Sequence, residues 1–148
     1  MTPERFAKIS AFLQARQADL TLLTDGVHKG QNLSAMLRHC DAFAVNEMHI
    51  VQPDDARFAA FKRTCAGSAQ WVPVRLHQHS QQAVQHFKDR GHQIVVAHLS
   101  PQSRCYQAVD YCLPTVIVMG SEIAGASDQL LAQADQHIQI PMLSLIHI

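Results

Sequence analysis

The chain carries no excess of charge: 12 Lys and Arg stand against 12 Asp and Glu in 148 residues, for a formal net charge of +0 and a pI of about 7.1. Bulk electrostatics therefore does not recruit a polyanion, and any nucleic-acid contact must rest on a local patch. It also lacks a C-x-x-C pair. The nearest two of its four cysteines, Cys105 and Cys112, stand seven positions apart, which argues against a zinc knuckle or a disulfide scaffold and for a reducing compartment. No apolar run is long enough to span a membrane and no signal peptide is visible, so a cytoplasmic location is expected. Proline and glycine number only 6 each, and internal repeats and low-complexity linkers are absent. The 10 histidines come closest at His77-Gln-His79, but no cysteine or carboxylate joins them at ligand spacing, so no metal is expected.

What remains is a 47% hydrophobic chain, enough for one globular domain that buries about two-thirds of its unfolded surface. Thr2 and Pro3 can open a helix whose apolar stripe, Phe6, Ile9, Phe12 and Leu13, runs to about Gln17. Short apolar runs at residues 20–23, 47–52, 71–76, 93–100, 114–120 and 137–141 read as strands. Between them, helices are expected from Asn32, from Ser80 to Arg90 with Gly91 closing it, and from Ser127. Runs that are apolar throughout suit strands covered on both faces, so the expected class is α/β with a mostly parallel sheet flanked by helices.

Two loops concentrate the chemistry. In Val27–Asp41, Asn32 is a preferred N-cap, while Leu33, Met36, Leu37 and Cys40 follow core spacing. Ser34, Arg38 and Asp41 are then left on another face, with Arg38 free to meet a ligand. An arginine three residues before an aspartate is also, more often, only a solvated ion pair. The second loop, Gly120-Ser-Glu-Ile-Ala-Gly125, lies between a buried strand and a helix, where open α/β sheets bind ligands. It is neither a Walker loop nor G-x-G-x-x-G. Glu122 within it can meet backbone donors of a neighbouring loop or subunit, or solvent. Arg5, Lys8 and Arg16 on the first helix, with Lys62 and Arg63, are the candidate RNA-binding cations, although scattered basic residues are more often solubilising.

Taken together, these segments resemble the SpoU/TrmH family of the SPOUT methyltransferases. Asn32 with Arg38 is similar to the family's first motif, Ala66-Gly-Ser-Ala69 before Trp71 to its middle section, and Met119–Gly125 to its second motif. The match runs from Pro3 to Met142, and its specificity lies in the order and spacing of the motifs. The resemblance implies a trefoil-knotted α/β fold and a homodimer. It also implies S-adenosylmethionine as methyl donor and 2′-O-methylation of a tRNA D-loop guanosine of the guanosine-18 type. Arg38 then matches the catalytic arginine and Asn32 a positioning residue. Ala97, Gly120 and Ile140 fall at the cofactor pocket, and Glu122 and Gly125 at structural or interface positions. At Ala97 the family commonly has threonine, so a hydroxyl contact is expected to be missing; Asn46 and Ser121 are further, peripheral departures. A ribosomal RNA target and a non-catalytic RNA- or nucleotide-binding module remain the alternatives.

On this reading residues 1–19 are an N-terminal helical extension, 20–142 the methyltransferase domain and 143–148 a non-native tail. After Ile140-Pro-Met142 the family motif would continue through Ser-Leu-Asn into a helix that completes knot and pocket. Leu143–Ile148 instead reads as the translation of CTGTCTCTTATACACATC, a transposon end used in preparing sequencing libraries. The expectation is a C-terminally truncated chain with an incomplete knot and no activity of its own.

Overall fold

Residues 20–23, 94–97 and 115–119 offer water almost no polar face, and they build the centre of a sheet flanked by helices. The computed structural model describes residues 1–52, 65 and 67–142. Within them lie β1 (Gln17–Asp25), β2 (Val45–Val51), β3 (Val74–His77), β4 (Gln93–Ala97), β5 (Arg104–Cys105), β6 (Thr115–Gly120) and β7 (Gln136–Gln139). They pair in the order β3-β2-β1-β6-β4-β7-β5, every ladder parallel. The expected parallel α/β architecture is what the chain adopts. Residues 143–148, the expected tail, and Lys62, Arg63 and Ala66 lie outside the described residues.

Among the described residues the bounded helices are α1 (Pro3–Gln14), α2 (Gly30–Ala42), α3 (Ser80–Lys88) and the single turn α4 (Asp128–Leu131). On one face of the sheet Ala83, Val84 and Phe87 of α3 and Leu130 of α4 pack on Leu23, Ile94, Val96, Val116 and Val118. On the other, Leu33, Leu37 and Cys40 of α2 meet Met48, Ile50, Val72 and Cys65. Alternation along each strand feeds these two cores.

Several local expectations are corrected. The stripe on α1 finds no core: no residue of α1 is buried, and Phe6 and Leu13 remain 60% and 57% exposed. Trp71 and Val72 belong to a 3-10 turn (Ser68–Gln70) and its exit, so β3 starts only at Val74; Gly67, at φ 94°, bends the chain there. Ser80 is the first residue of α3 and does not cap it, because its hydroxyl donates to Asp25 instead. α3 stops at Lys88, two residues short of Arg90. Ser34 was expected beside Arg38 and Asp41, yet it is buried among the core residues of α2.

From β1 the chain builds outward through β2 and β3, then crosses to place β4, β7 and β5 on the opposite side of β6. Register pairs Asp25 with Gly120 and Ala97 with Met119, so the carboxyl ends of β1, β6 and β4 are level along one edge. A crevice opens at such a reversal of strand order.

Candidate active site

The loop after β1 turns at Gly26 (φ 71°) and delivers Lys29 as the N-cap of α2. This corrects the role expected for Asn32: the backbone N–H groups of Asn32 and Leu33 both donate to the Lys29 carbonyl, so the helix begins earlier and Asn32 sits inside its first turn. Its side chain is thereby released for a distant partner. The loop after β6 folds back on itself, with Ser121 N–H donating to Gly125 O (2.9 Å) and Gly125 N–H to Ser121 O (3.0 Å). Gly120 makes this possible, since a Cβ there would lie 2.1 Å from Ala126 N.

Glu122 at the tip of that loop accepts from Lys29 Nζ and from Asn32 Nδ2, each at 2.7 Å. The sequence led us to expect backbone donors or solvent; the donors are side chains of the facing loop and helix. Hydrogen bonds from Lys29 and Asn32, with the charge of Lys29, hold the Glu122 carboxyl below the usual glutamate range. Lys29 and Glu122 are exposed and Asn32 is half-buried, so the cluster orients more than it stabilises. They border a cavity of about 600 Å³, completed by Val27, Ala35, Met36, Met119 and Gly120.

Arg38 does not reach this cavity. Six residues after Asn32 it lies roughly 240° further round α2, exposed. Within one chain, therefore, Asn32 and Glu122 come together and Arg38 stands apart. A second cavity of about 410 Å³ opens at the ends of β4 and β7, lined by Ala97, His98, Leu99, Ile140 and Met142 among others. It unites Ala97 with Ile140, while Gly120 borders the first cavity, one residue beyond the Met119 that pairs with Ala97.

Of the basic residues on α1, Arg5 and Lys8 are exposed. Arg16, just beyond the helix, donates to the Trp71 carbonyl at 2.6 Å and lies over the Phe12 ring, so part of its capacity ties α1 to the 3-10 turn. Among the described residues no group of three or more His, Cys, Asp or Glu side chains is placed to hold a metal ion. His77 faces a different partner: its Nε2 is 2.7 Å from Nδ1 of the fully buried His49. The sequence reading missed Lys29 and Asp25 as site residues. An acid ending an apolar strand was the available signal for Asp25; for Lys29 only its place in a matched motif.

The SpoU rRNA Methylase family model matches residues 19–147. The tRNA (guanosine(18)-2'-O)-methyltransferase of Escherichia coli (strain K12) is 42% identical over 146 residues, 99% of this chain and 63% of that protein. The chain thus spans less than two thirds of that relative's length. Among solved structures, the A. aeolicus TrmH/SpoU tRNA modifying enzyme superposes with a TM-score of 0.88 at 34% identity, covering 96% of this chain and 72% of that one. An AdoMet-bound rRNA methyltransferase from Sinorhizobium meliloti gives a TM-score of 0.77 at 25% identity, over 88% of this chain and 50% of its own.

Proposed function

Because the chain belongs to the SpoU rRNA methylase family, we propose that it serves S-adenosylmethionine-dependent methylation of a ribose 2′-hydroxyl in tRNA, at a D-loop guanosine of the guanosine-18 type. The observation that carries this reading is the pair of cavities on one sheet edge, one bordered by Glu122, Asn32 and Lys29, the other by Ala97 and Ile140. Identity to a tRNA enzyme at 42%, against 25% to a ribosomal RNA enzyme, favours tRNA as substrate.

The second cavity fits the cofactor: apolar Ala97, Leu99, Ile140 and Met142 suit a flat base, with His98 and Gln139 as polar neighbours. Ala97, Ile140 and the backbone at Gly120 would hold it, and when bound it supplies a methyl group already activated on a sulfonium. What the protein must add is alignment and stabilisation of the charge that develops on the 2′-oxygen. Glu122 fixes the Asn32 amide, and Asn32 then orients the ribose. Arg38 offers a guanidinium fork to the developing alkoxide. It does not take the proton, since a guanidinium stays protonated at any physiological pH; a substrate phosphate is the better acceptor.

Arg38 and Asn32 diverge on one helix, and a homodimer would let the Arg38 of one copy complete the cavity of the other. Support comes from apolar surface left open: Phe6 and Leu13 on α1, and a cavity of about 230 Å³ where Leu20, Leu22, Met36 and Ile117 meet Phe43, which is 72% exposed. Of residues 1–19, the part ahead of β1 then acts as an extension that offers Arg5 and Lys8 to tRNA. A reducing cytoplasm suits four cysteines of which none is in a disulfide. No helix among the described residues is long and apolar enough to cross a membrane.

Transfer of labelled methyl from S-adenosylmethionine to tRNA, followed by mapping of the modified nucleotide, tests the proposal. Methylation of a D-loop guanosine supports it. RNA binding without transfer would favour the non-catalytic module, and modification of ribosomal RNA alone would move the target. Arg38→Lys should lower the single-turnover rate at saturating tRNA at least about tenfold, because lysine lacks the planar fork.

A further inference from the structure

We infer that Asp25 is a positioning residue of this site: by clamping Ser127 at the base of the Gly120–Ser127 loop, it determines where Glu122 stands against Lys29 and Asn32. The inference deepens the proposed methyltransferase reading and rests on it for its catalytic meaning.

Asp25 ends β1 with its side chain buried, and three donors converge on it. Its Oδ2 accepts from Ser127 N–H at 2.8 Å and from the Ser127 hydroxyl at 2.7 Å, while its Oδ1 accepts from the Ser80 hydroxyl at 2.8 Å. A carboxylate only accepts, so it suits three converging donors. Chain and contacts close a ring. From Asp25 the backbone runs through Gly26, Val27 and His28 to Lys29; Lys29 bonds Glu122; and from Glu122 the loop returns through Ala124 and Gly125 to Ser127. Beside the base of the ring lies an open cavity of about 350 Å³ bordered by His28, Ser121 and Ala124.

The two closures of the ring are unequal. At the tip, the Lys29 and Glu122 side chains are 69% and 60% exposed, so water and salt compete with their contact. At the base, hydrogen bonds to a buried carboxylate are stronger and costly to break. The geometry at the tip therefore depends on the base. If Ser127 is released, the Glu122 loop loses its anchor, and Asn32 loses the acceptor that orients it.

The test uses the full chain as parent and Asp25→Ala and Asp25→Asn as variants. It follows the Glu122 carboxyl titration by carbon NMR and amide hydrogen exchange across residues 121–127. In Asp25→Ala, Glu122 should titrate closer to the ordinary glutamate range, and the Gly125 and Ser127 amides should exchange about tenfold faster. Asp25→Asn should resemble the parent, since its amide oxygen accepts from Ser127 and its NH2 donates to the Ser80 hydroxyl. Ser127→Ala keeps the backbone donor and should shift Glu122 in the same direction, less far; it decides the matter if Asp25→Ala does not fold. Parental Glu122 titration in Asp25→Ala, or in Ser127→Ala when that variant decides, overturns the inference, and so does an Asp25→Asn as disruptive as Asp25→Ala. Methyl transfer to tRNA by the parent is scored separately. Its absence counts against the methyltransferase reading while the titration still decides the clamp. Where transfer is present, Asp25→Ala should lower kcat with the KM for S-adenosylmethionine unchanged, and an unchanged kcat overturns the positioning role.

Discussion

Gly120 tolerates the least change. An added methyl would meet the backbone of Gly125 and Ala126 at 2.1 Å, and backbone cannot swing aside as a side-chain tip can. Gly120→Ala should therefore displace the Glu122 loop and cost about 2 kcal/mol or more, read as a lowered Tm and weakened S-adenosylmethionine binding. His49 sets a pH dependence. Burial first, against the opposing hydrogen bond to Glu47, lowers its pKa from 6.5 to about 4. His77 and His86 are lowered mainly by burial too, and Glu47 is held down, against its own burial, by Arg75 and His49. The unfolded chain takes up His49's proton below about pH 6.5, whereas the folded one resists until about pH 4, so stability rises with pH between these values and is lost on acidification. Between pH 7.5 and 5 the loss from His49 alone is about 2 kcal/mol, and Tm measured over that range should fall accordingly, less so in His49→Gln. Cys40, whose thiol burial pushes up to about 11, should stay unreactive toward alkylating reagents while the chain is folded. Of the site residues, Asn32 was legible as a polar residue at a helix start and, by resemblance, as a positioning residue, but the partner that holds it was not. Its partner Glu122 is 90 positions away and Ser127 is 102 from Asp25, and no local pattern encodes such pairs.

At the scale of elements, α2 is the part that sequence periodicity describes best. Leu33, Leu37 and Cys40 are buried as their spacing requires, and Leu37→Ala, at a position with no exposure, should cost about 2–5 kcal/mol in denaturant unfolding. The limits of periodicity show at Ser34, whose small side chain fits the buried flank despite its polarity, and at β5, too short at two residues to display any alternation. β3 was misplaced because Trp71 and Val72, β-formers by type, lie in a turn that Gly67 opens. α1 has a core-like stripe of which, among the described residues, only part is covered: Phe12 meets Trp71 edge-on, while Phe6 and Leu13 stay exposed. If that stripe forms part of a homodimer, Phe6→Ser with Leu13→Ser should reduce self-association in sedimentation while leaving the far-ultraviolet spectrum nearly unchanged.

For the whole molecule, balanced charge is itself a property. With a pI of about 7.1 the chain has little net repulsion near neutrality, and its solubility should pass through a minimum close to pH 7 and improve on either side. The architecture was legible because fully apolar strands alternating with helices admit few alternatives to a parallel sheet. The strand order was not, since nothing local in β1 says that β6 will be its neighbour. That order has a consequence in time. β1, which flanks the central strand β6, is made within the first 25 residues, but β6, which closes its inner edge, begins only at Thr115. During synthesis at about 5–20 residues per second, Leu20 to Leu23 must wait several seconds for β6. Nascent β1 is thus a strand with one open apolar edge while the ribosome works, and protection of that interval falls to α2, β2 or a chaperone.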